Sequence, residues 1–136
     1  MQKKLLTQKE HTCFCGNAMP FSLCCEPYIT LTKKPSTAEQ LMRSRYSAFV
    51  TENESYLLYT WHRDERPSEV RFDFNTKWLG LKIEQCKAGL ALDSEGWVKF
   101  VARYKINGKA ERIEELSYFI KDNQQWFYAC AEEKLE

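Results

Sequence analysis

Trp97-Val98-Lys99-Phe100-Val101-Ala102-Arg103-Tyr104-Lys105-Ile106-Asn107-Gly108-Lys109 carries the plainest structural signal in the chain. Val98, Phe100, Ala102, Tyr104 and Ile106 fall on one face, the period of a strand half-buried in a sheet. Asn107-Gly108 then supplies two residues that tolerate positive φ, as a two-residue hairpin turn demands. The partner strand is expected over 109–121, with Ile113, Glu115, Ser117 and Phe119 on one face. The same period extends outward. A strand is expected over 78–87, interrupted at Ala88-Gly89, with Leu90-Ala91-Leu92 as a bulge or short continuation and Asp93-Ser94-Glu95-Gly96 as a turn. After Asp122-Asn123 a last strand is expected over 124–131. In it Trp126, Tyr128 and Cys130 point one way, Phe127 and Ala129 the other.

Upstream the apolar period changes to that of a helix. Ser36-Thr37-Ala38-Glu39 reads as a capping box opening a helix over 38–51. Leu41, Arg45, Ala48 and Phe49 form its stripe, flanked by Met42, Tyr46 and Val50. Asn53 ends it. A second helix fits 54–61, packing through Tyr56, Leu57, Thr60 and Trp61, and Pro67 is placed to open a third over 68–74. Helices followed by a run of antiparallel strands make an α+β chain. The expected architecture is a curved antiparallel sheet packed on three helices, a cone enclosing one pocket.

The 136 residues carry a net charge of +1, so no global field favours nucleic acid or an anionic membrane. An aromatic fraction of 14% lets so short a chain bury a substantial core. Residues 1–35 hold five lysines against two glutamates, a basic cast too weak for a nucleic-acid footprint. No apolar run is long enough to span a bilayer. Met1 to Thr12 has lysines without an apolar core and does not read as an export signal. The expected compartment is the cytoplasm, where clustered cysteines hold metal more often than disulfides.

Those cysteines open the chain: Cys13-Phe14-Cys15-Gly16-Asn17-Ala18-Met19-Pro20-Phe21-Ser22-Leu23-Cys24-Cys25. Two thiol pairs joined by a tight loop suit a tetrahedral ion, and Gly16-Asn17 accepts the positive φ of a sharp turn. The expected ligands are Cys13, Cys15, Cys24 and Cys25 on one structural Zn²⁺, with no open position for catalysis. Phe21 to Cys25 fits one helical turn stopped by Pro27. His11 is a second-shell group or substitute ligand. The competing reading is a disulfide pair in an oxidising setting. Cys86 and Cys130, far along the chain, read as buried free thiols.

Cys13-x-Cys15-Gly16 with Cys24-Cys25 resembles the SEC-C motif, a small zinc module also found at the end of the preprotein translocase ATPase. Thr37-Ala38-Glu39-Gln40-Leu41-Met42-Arg43-Ser44-Arg45-Tyr46-Ser47-Ala48-Phe49 is similar to the corresponding run of the YchJ family. Trp78-Leu79-Gly80-Leu81, Gly96-Trp97-Val98-Lys99-Phe100-Val101-Ala102 and Trp126-Phe127-Tyr128 continue the likeness. The resemblance implies a SEC-C knuckle over 11–30, then over 36–131 a domain like nuclear transport factor 2, with three helices and a curved sheet around a conical pocket. It implies chaperone, translocase or ribosome-associated partners, and no particular reaction.

Arg45 lies on an apolar stripe, and a buried arginine needs a partner. Glu115 shares the strand face that meets the helices, so an Arg45–Glu115 ion pair is expected inside the cone. His62 follows the second helix and is placed at the same mouth, with Trp61, Tyr104 and Tyr46 as walls. Read functionally, His62 and Glu115 are an acid/base pair with Arg45 beside them. Read structurally, Arg43, Arg45, Glu115 and His62 tie helices to sheet, and this is the favoured reading. The expected role is therefore a zinc-dependent adaptor docking a protein partner through the knuckle. The alternative is a small-molecule site or enzyme in the cone. Membrane and nucleic-acid partners are not expected.

Overall fold

In the computed structural model, residues 12–132 are described. The readings of the lead-in with His11 and of the tail after Glu132 lie outside them. A 3-10 turn spans Phe21–Leu23, followed by helices α1 (Glu26–Ile29), α2 (Ala38–Val50) and α3 (Glu54–Tyr59). Strands β1 (Thr76–Ala88), β2 (Glu95–Ile106), β3 (Lys109–Asp122) and β4 (Gln125–Glu132) form one antiparallel sheet in the order β1-β2-β3-β4. This is the expected α+β architecture: an open sheet against three helices.

The third helix is not where periodicity placed it. Residues 68–74 form no helix, and α1 takes the third place. Val70 and Phe72 both pack on the core while Arg71 and Asp73 are exposed, an alternation that only extended backbone produces. The Val70 N–H donates to the Glu54 carboxylate at 2.9 Å, which fixes the segment to the start of α3. Pro27 sits in the first turn of α1, where its missing N–H costs nothing, so it opens that helix rather than stopping one.

The cap of α2 is shifted by one residue. Thr37 is the N-cap and accepts from the Gln40 N–H at 3.1 Å, while the Gln40 side chain reaches back to the Ser36 N–H at 2.8 Å. Glu39 is left free to bind Arg43 at 3.0 Å. Eight of the thirteen residues of α2 are buried, because the sheet lies on one side and the cysteine segment on another.

The Asn107-Gly108 signal holds, with φ of 53° and 81°; the second turn falls one residue later than expected, on Asn123-Gln124 with φ of 53° and 65°, because Asp122 is still paired in β3. Leu90-Ala91-Leu92 is a turn, not a strand continuation. The sheet is bent by bulges, where one extra residue sharpens local twist. Two lie in β1, between Trp78 and Gly80 and between Ile83 and Gln85. A third lies in β4: Tyr118 pairs with Cys130, but Phe119 pairs with Tyr128. That puts Tyr128 and Cys130 on opposite faces: Tyr128 keeps the inner face with Trp126 as expected, and Cys130 is the residue turned away from it.

The start of α2 docks on the β1–β2 turn, where the Ala38 N–H donates to the Gly89 carbonyl at 2.9 Å. A Cβ on Gly96 would stand 2.8 Å from the Gly89 nitrogen and 3.3 Å from the Ala38 Cβ. Backbone cannot yield as a side chain can. Gly96→Ala is expected to cost about 2–3 kcal/mol, the upper range for overpacking. Urea unfolding checks it, and a loss below about 0.5 kcal/mol would show that the turn opens at little cost.

Candidate functional site

The cysteine segment folds back on itself through an isolated bridge between Thr12 and Pro20 and a Cys13 N–H to Met19 carbonyl bond of 2.8 Å. Gly16 takes φ of 97°, and a Cβ there would press to 3.1 Å on the Leu81 carbonyl of β1. The loop thus needs glycine both for its turn and for its approach to the sheet. The Sγ atoms of Cys13, Cys15, Cys24 and Cys25 all lie within 4.8 Å of one another. Cys15 Sγ and Cys24 Sγ are 3.7 Å apart. A tetrahedron with bonds near 2.3 Å has edges of about 3.8 Å, so the donor set and its spacing fit an ion such as zinc. All six cysteines are free thiols, so the disulfide reading fails.

Donors from the fold aim at these sulfurs. Asn17 Nδ2 lies 3.4 Å from Cys24 Sγ, and Ser47 Oγ lies 3.7 Å from Cys13 Sγ. Arg43 Nη1 donates to the Cys15 carbonyl at 2.8 Å and stands 3.9 Å from its sulfur. Such outer groups orient ligands and soften their crowded charge. Hydrogen bonds from Cys15 and Cys25 hold the Cys13 thiol far below its usual range. The same contacts push Cys15 up to about 11 and Cys25 up as well. Without a cation Cys13 is the favoured thiolate, and binding an ion must release the protons that Cys15 and Cys25 hold. Asn17, Arg43 and Ser47 were not singled out as cluster contacts in the sequence. The available signal was the placement of Arg43 and Ser47, four residues apart on a helix face away from the apolar stripe.

The second feature is a cavity of about 280 Å³ between α2 and the concave face of the sheet. Its walls include Tyr46, Phe49, Trp61, Trp78 and Phe100, and its polar groups come from Arg45, Glu115, Ser117 and Tyr128. Arg45 is 4% exposed. Its Nη1 donates to the Leu57 carbonyl at 2.8 Å and the Thr60 hydroxyl at 2.7 Å. The guanidinium lies over the rings of Trp61 and Tyr128, 4.9 and 4.6 Å from their centroids. Burial pulls its pKa down to about 10, still protonated at neutral pH. Glu115 Oε2 accepts from Ser117 Oγ at 2.7 Å and from the Tyr128 hydroxyl at 3.1 Å.

The expected Arg45–Glu115 ion pair does not form; Tyr128 stands between the two, its ring under one and its hydroxyl on the other. The expected His62–Glu115 pair fails for a topological reason. His62 follows Trp61, which bridges to Tyr128, and the next residue must face away. Its ring packs on Phe127 and its Nε2 lies 3.4 Å from Asp122 Oδ2, outside the cavity wall. Trp61 and Tyr46 line the cavity as expected; Tyr104 does not line it and packs on Trp78 instead. Cys86 is exposed rather than buried, its thiol 3.6 Å from the Glu39 carboxylate. Cys130 is half-buried.

Residues 37–131 match the family model for the YchJ middle domain, described as like nuclear transport factor 2. The chain belongs to the YchJ family. A UPF0225 protein of Chromobacterium violaceum is 43% identical over 125 residues, covering 89% of this chain and 92% of the relative. The solution structure of a SEC-C motif containing protein from Rhodopseudomonas palustris superposes with a TM-score of 0.79 at 26% identity, covering 91% of this chain and 99% of that one. A crystal structure of a SEC-C motif containing protein from Psychrobacter arcticus gives 0.71 at 23% identity over 96% and 88% of the two chains, a likeness of fold. In this YchJ-family chain the SEC-C-like knuckle is no loose appendage. Cys13, Cys15 and Cys25 belong to the same buried cluster as Leu41, Leu57 and Trp126. No helix among the described residues is long and apolar enough to cross a membrane.

Proposed function

We propose that this protein is a zinc-structured adaptor: one Zn²⁺ on Cys13, Cys15, Cys24 and Cys25 stiffens the knuckle, 11–30, which docks a protein partner in the cytoplasm, while 36–131 is the scaffold. The observation that carries this reading is the apolar surface around the thiols. Phe14, Met19 and Leu23 are 43%, 47% and 64% exposed. Phe14 is braced edge-on by Phe21 at 5.2 Å. Large apolar side chains held open to water on a rigid loop are the makings of an interface core. The test is affinity capture with the full chain. A partner retained by wild type and by Glu115→Gln, but lost on Leu23→Asp at unchanged melting temperature, supports docking at the knuckle. Identical partner sets for wild type and Leu23→Asp would overturn it. Metal analysis of protein purified under reducing conditions should give one zinc per chain, and a ratio near zero would defeat the metal assignment.

The cone supports a second reading, a small-molecule site. The observation favouring it is an aromatic cavity holding a buried cation and a carboxylate that do not neutralise each other directly.

A further inference from the structure

Arg45 and Glu115 leave hydrogen-bonding capacity facing the cavity. No fully buried side-chain nitrogen or oxygen among the described residues lacks a partner, yet only Nη1 of Arg45 has a protein acceptor. Its Nε and Nη2 have no acceptor among the described residues and so are not fully buried, and Arg45 lines the cavity. Glu115 likewise uses Oε2 for both its bonds, to Ser117 and Tyr128, and among the described residues Oε1 has no partner. The cavity thus offers a donor and an acceptor separated by one phenol ring, that of Tyr128, between aromatic walls.

These groups discriminate by charge. A cationic ligand would meet the guanidinium already seated over Trp61 and Tyr128. An anion would meet the Glu115 carboxylate. A purely apolar molecule would strip water from both groups and replace none of its hydrogen bonds. A neutral group with an acceptor beside a donor satisfies both. The volume, about 280 Å³, holds about nine non-hydrogen atoms at the packing of liquid water.

The geometry points to a flat, uncharged amide as the ligand class of the cone: an aryl or cyclic amide whose carbonyl accepts from Arg45 and whose N–H donates to Glu115 Oε1. This rests on the second reading above, that the cone is a ligand site. The test titrates the full metal-loaded chain with four probes of nearly equal shape: benzamide, benzoate, benzamidine and acetophenone. Readouts are tryptophan fluorescence, since Trp61 and Trp78 line the cavity, and NMR shifts of residues around it. Benzamide is expected to bind with Kd on the order of 1 mM, as suits so small a ligand. The other three are expected to bind at least about tenfold more weakly, because each leaves a buried polar group unpaired or faces a like charge. In Glu115→Gln, which keeps the shape and removes the charge, benzoate is expected to overtake benzamide. Equal binding of all four probes would keep the cone as a ligand site but overturn the amide class. No binding by any probe, or shifts confined to the knuckle, would overturn both. Preference for benzoate already in the wild type would assign the cone to anions instead.

Discussion

Stripping the cysteine cluster with a strong chelator is expected to lower the melting temperature by about 10 °C or more, with the largest spectral changes over residues 12–30 and α2. Cys15 and Cys25 are 0% and 1% exposed, and both belong to the buried cluster. Removing an ion from that position leaves crowded thiols with no common cation. Structural zinc in small modules is worth about 10–16 kcal/mol of apparent binding energy, and even about 3 kcal/mol of it is a large shift for a domain of this size. The loss should spread into α2, because Ser47 and Arg43 touch the cluster directly. The meander β1–β4 has its own hydrogen bonds and should stay folded. Acid should act in the same direction as chelation. Without the ion Cys15 is pushed up to about 11 and Cys25 is also raised, so protons compete with metal at neutral pH. Affinity therefore falls as pH falls. Circular dichroism melts and heteronuclear NMR with and without chelator check this. An unchanged melt after verified metal loss would show that side-chain packing alone holds the knuckle.

Arg45→Ala is expected to cost about 3–5 kcal/mol, the usual loss when a buried, partnered charge is removed and its partners are left behind. The change deprives the Leu57 carbonyl, near the end of α3, of its Arg45 donor. It also frees the Thr60 hydroxyl of its guanidinium contact and empties the gap between Trp61 and Tyr128. Arg45→Met should cost clearly less, since it refills the gap and removes the charge whose burial is itself expensive. Urea titration of the two variants separates the causes. If both lose the same amount, the hydrogen bonds matter and packing does not. A loss below about 0.5 kcal/mol for the alanine variant would mean that α3 and β4 hold together without Arg45.

The hairpin over 97–121 was legible because its signals are local: alternation over neighbouring residues and a turn dipeptide that accepts positive φ. The helix over 38–50 was legible for the same reason, and its cap was misplaced by one residue because Ser36 and Thr37 can both cap and only docking on Gly89 chooses between them. Residues 68–74 misled because Pro67 and a polar-apolar mixture permit a helix in isolation. The two apolar side chains at 70 and 72 can both reach the core only from extended backbone.

The site shows the same division. Four thiols in a short segment cannot lie far apart, so the sequence by itself determined a thiol cluster able to hold a metal, as it did the meander and the principal helix. Which side chains share the cone depends on chain-distant registers that no local pattern encodes. The bulge in β4 turns Cys130 off the face it was expected to share with Trp126 and Tyr128, while the hairpin register sets Tyr128 between Arg45 and Glu115. The bridge from Trp61 to Tyr128 sends His62 out to Asp122. One residue of slip reverses a side chain's face. Only the tertiary structure could therefore decide that the buried arginine meets an aromatic sandwich and that the histidine stands outside the pocket.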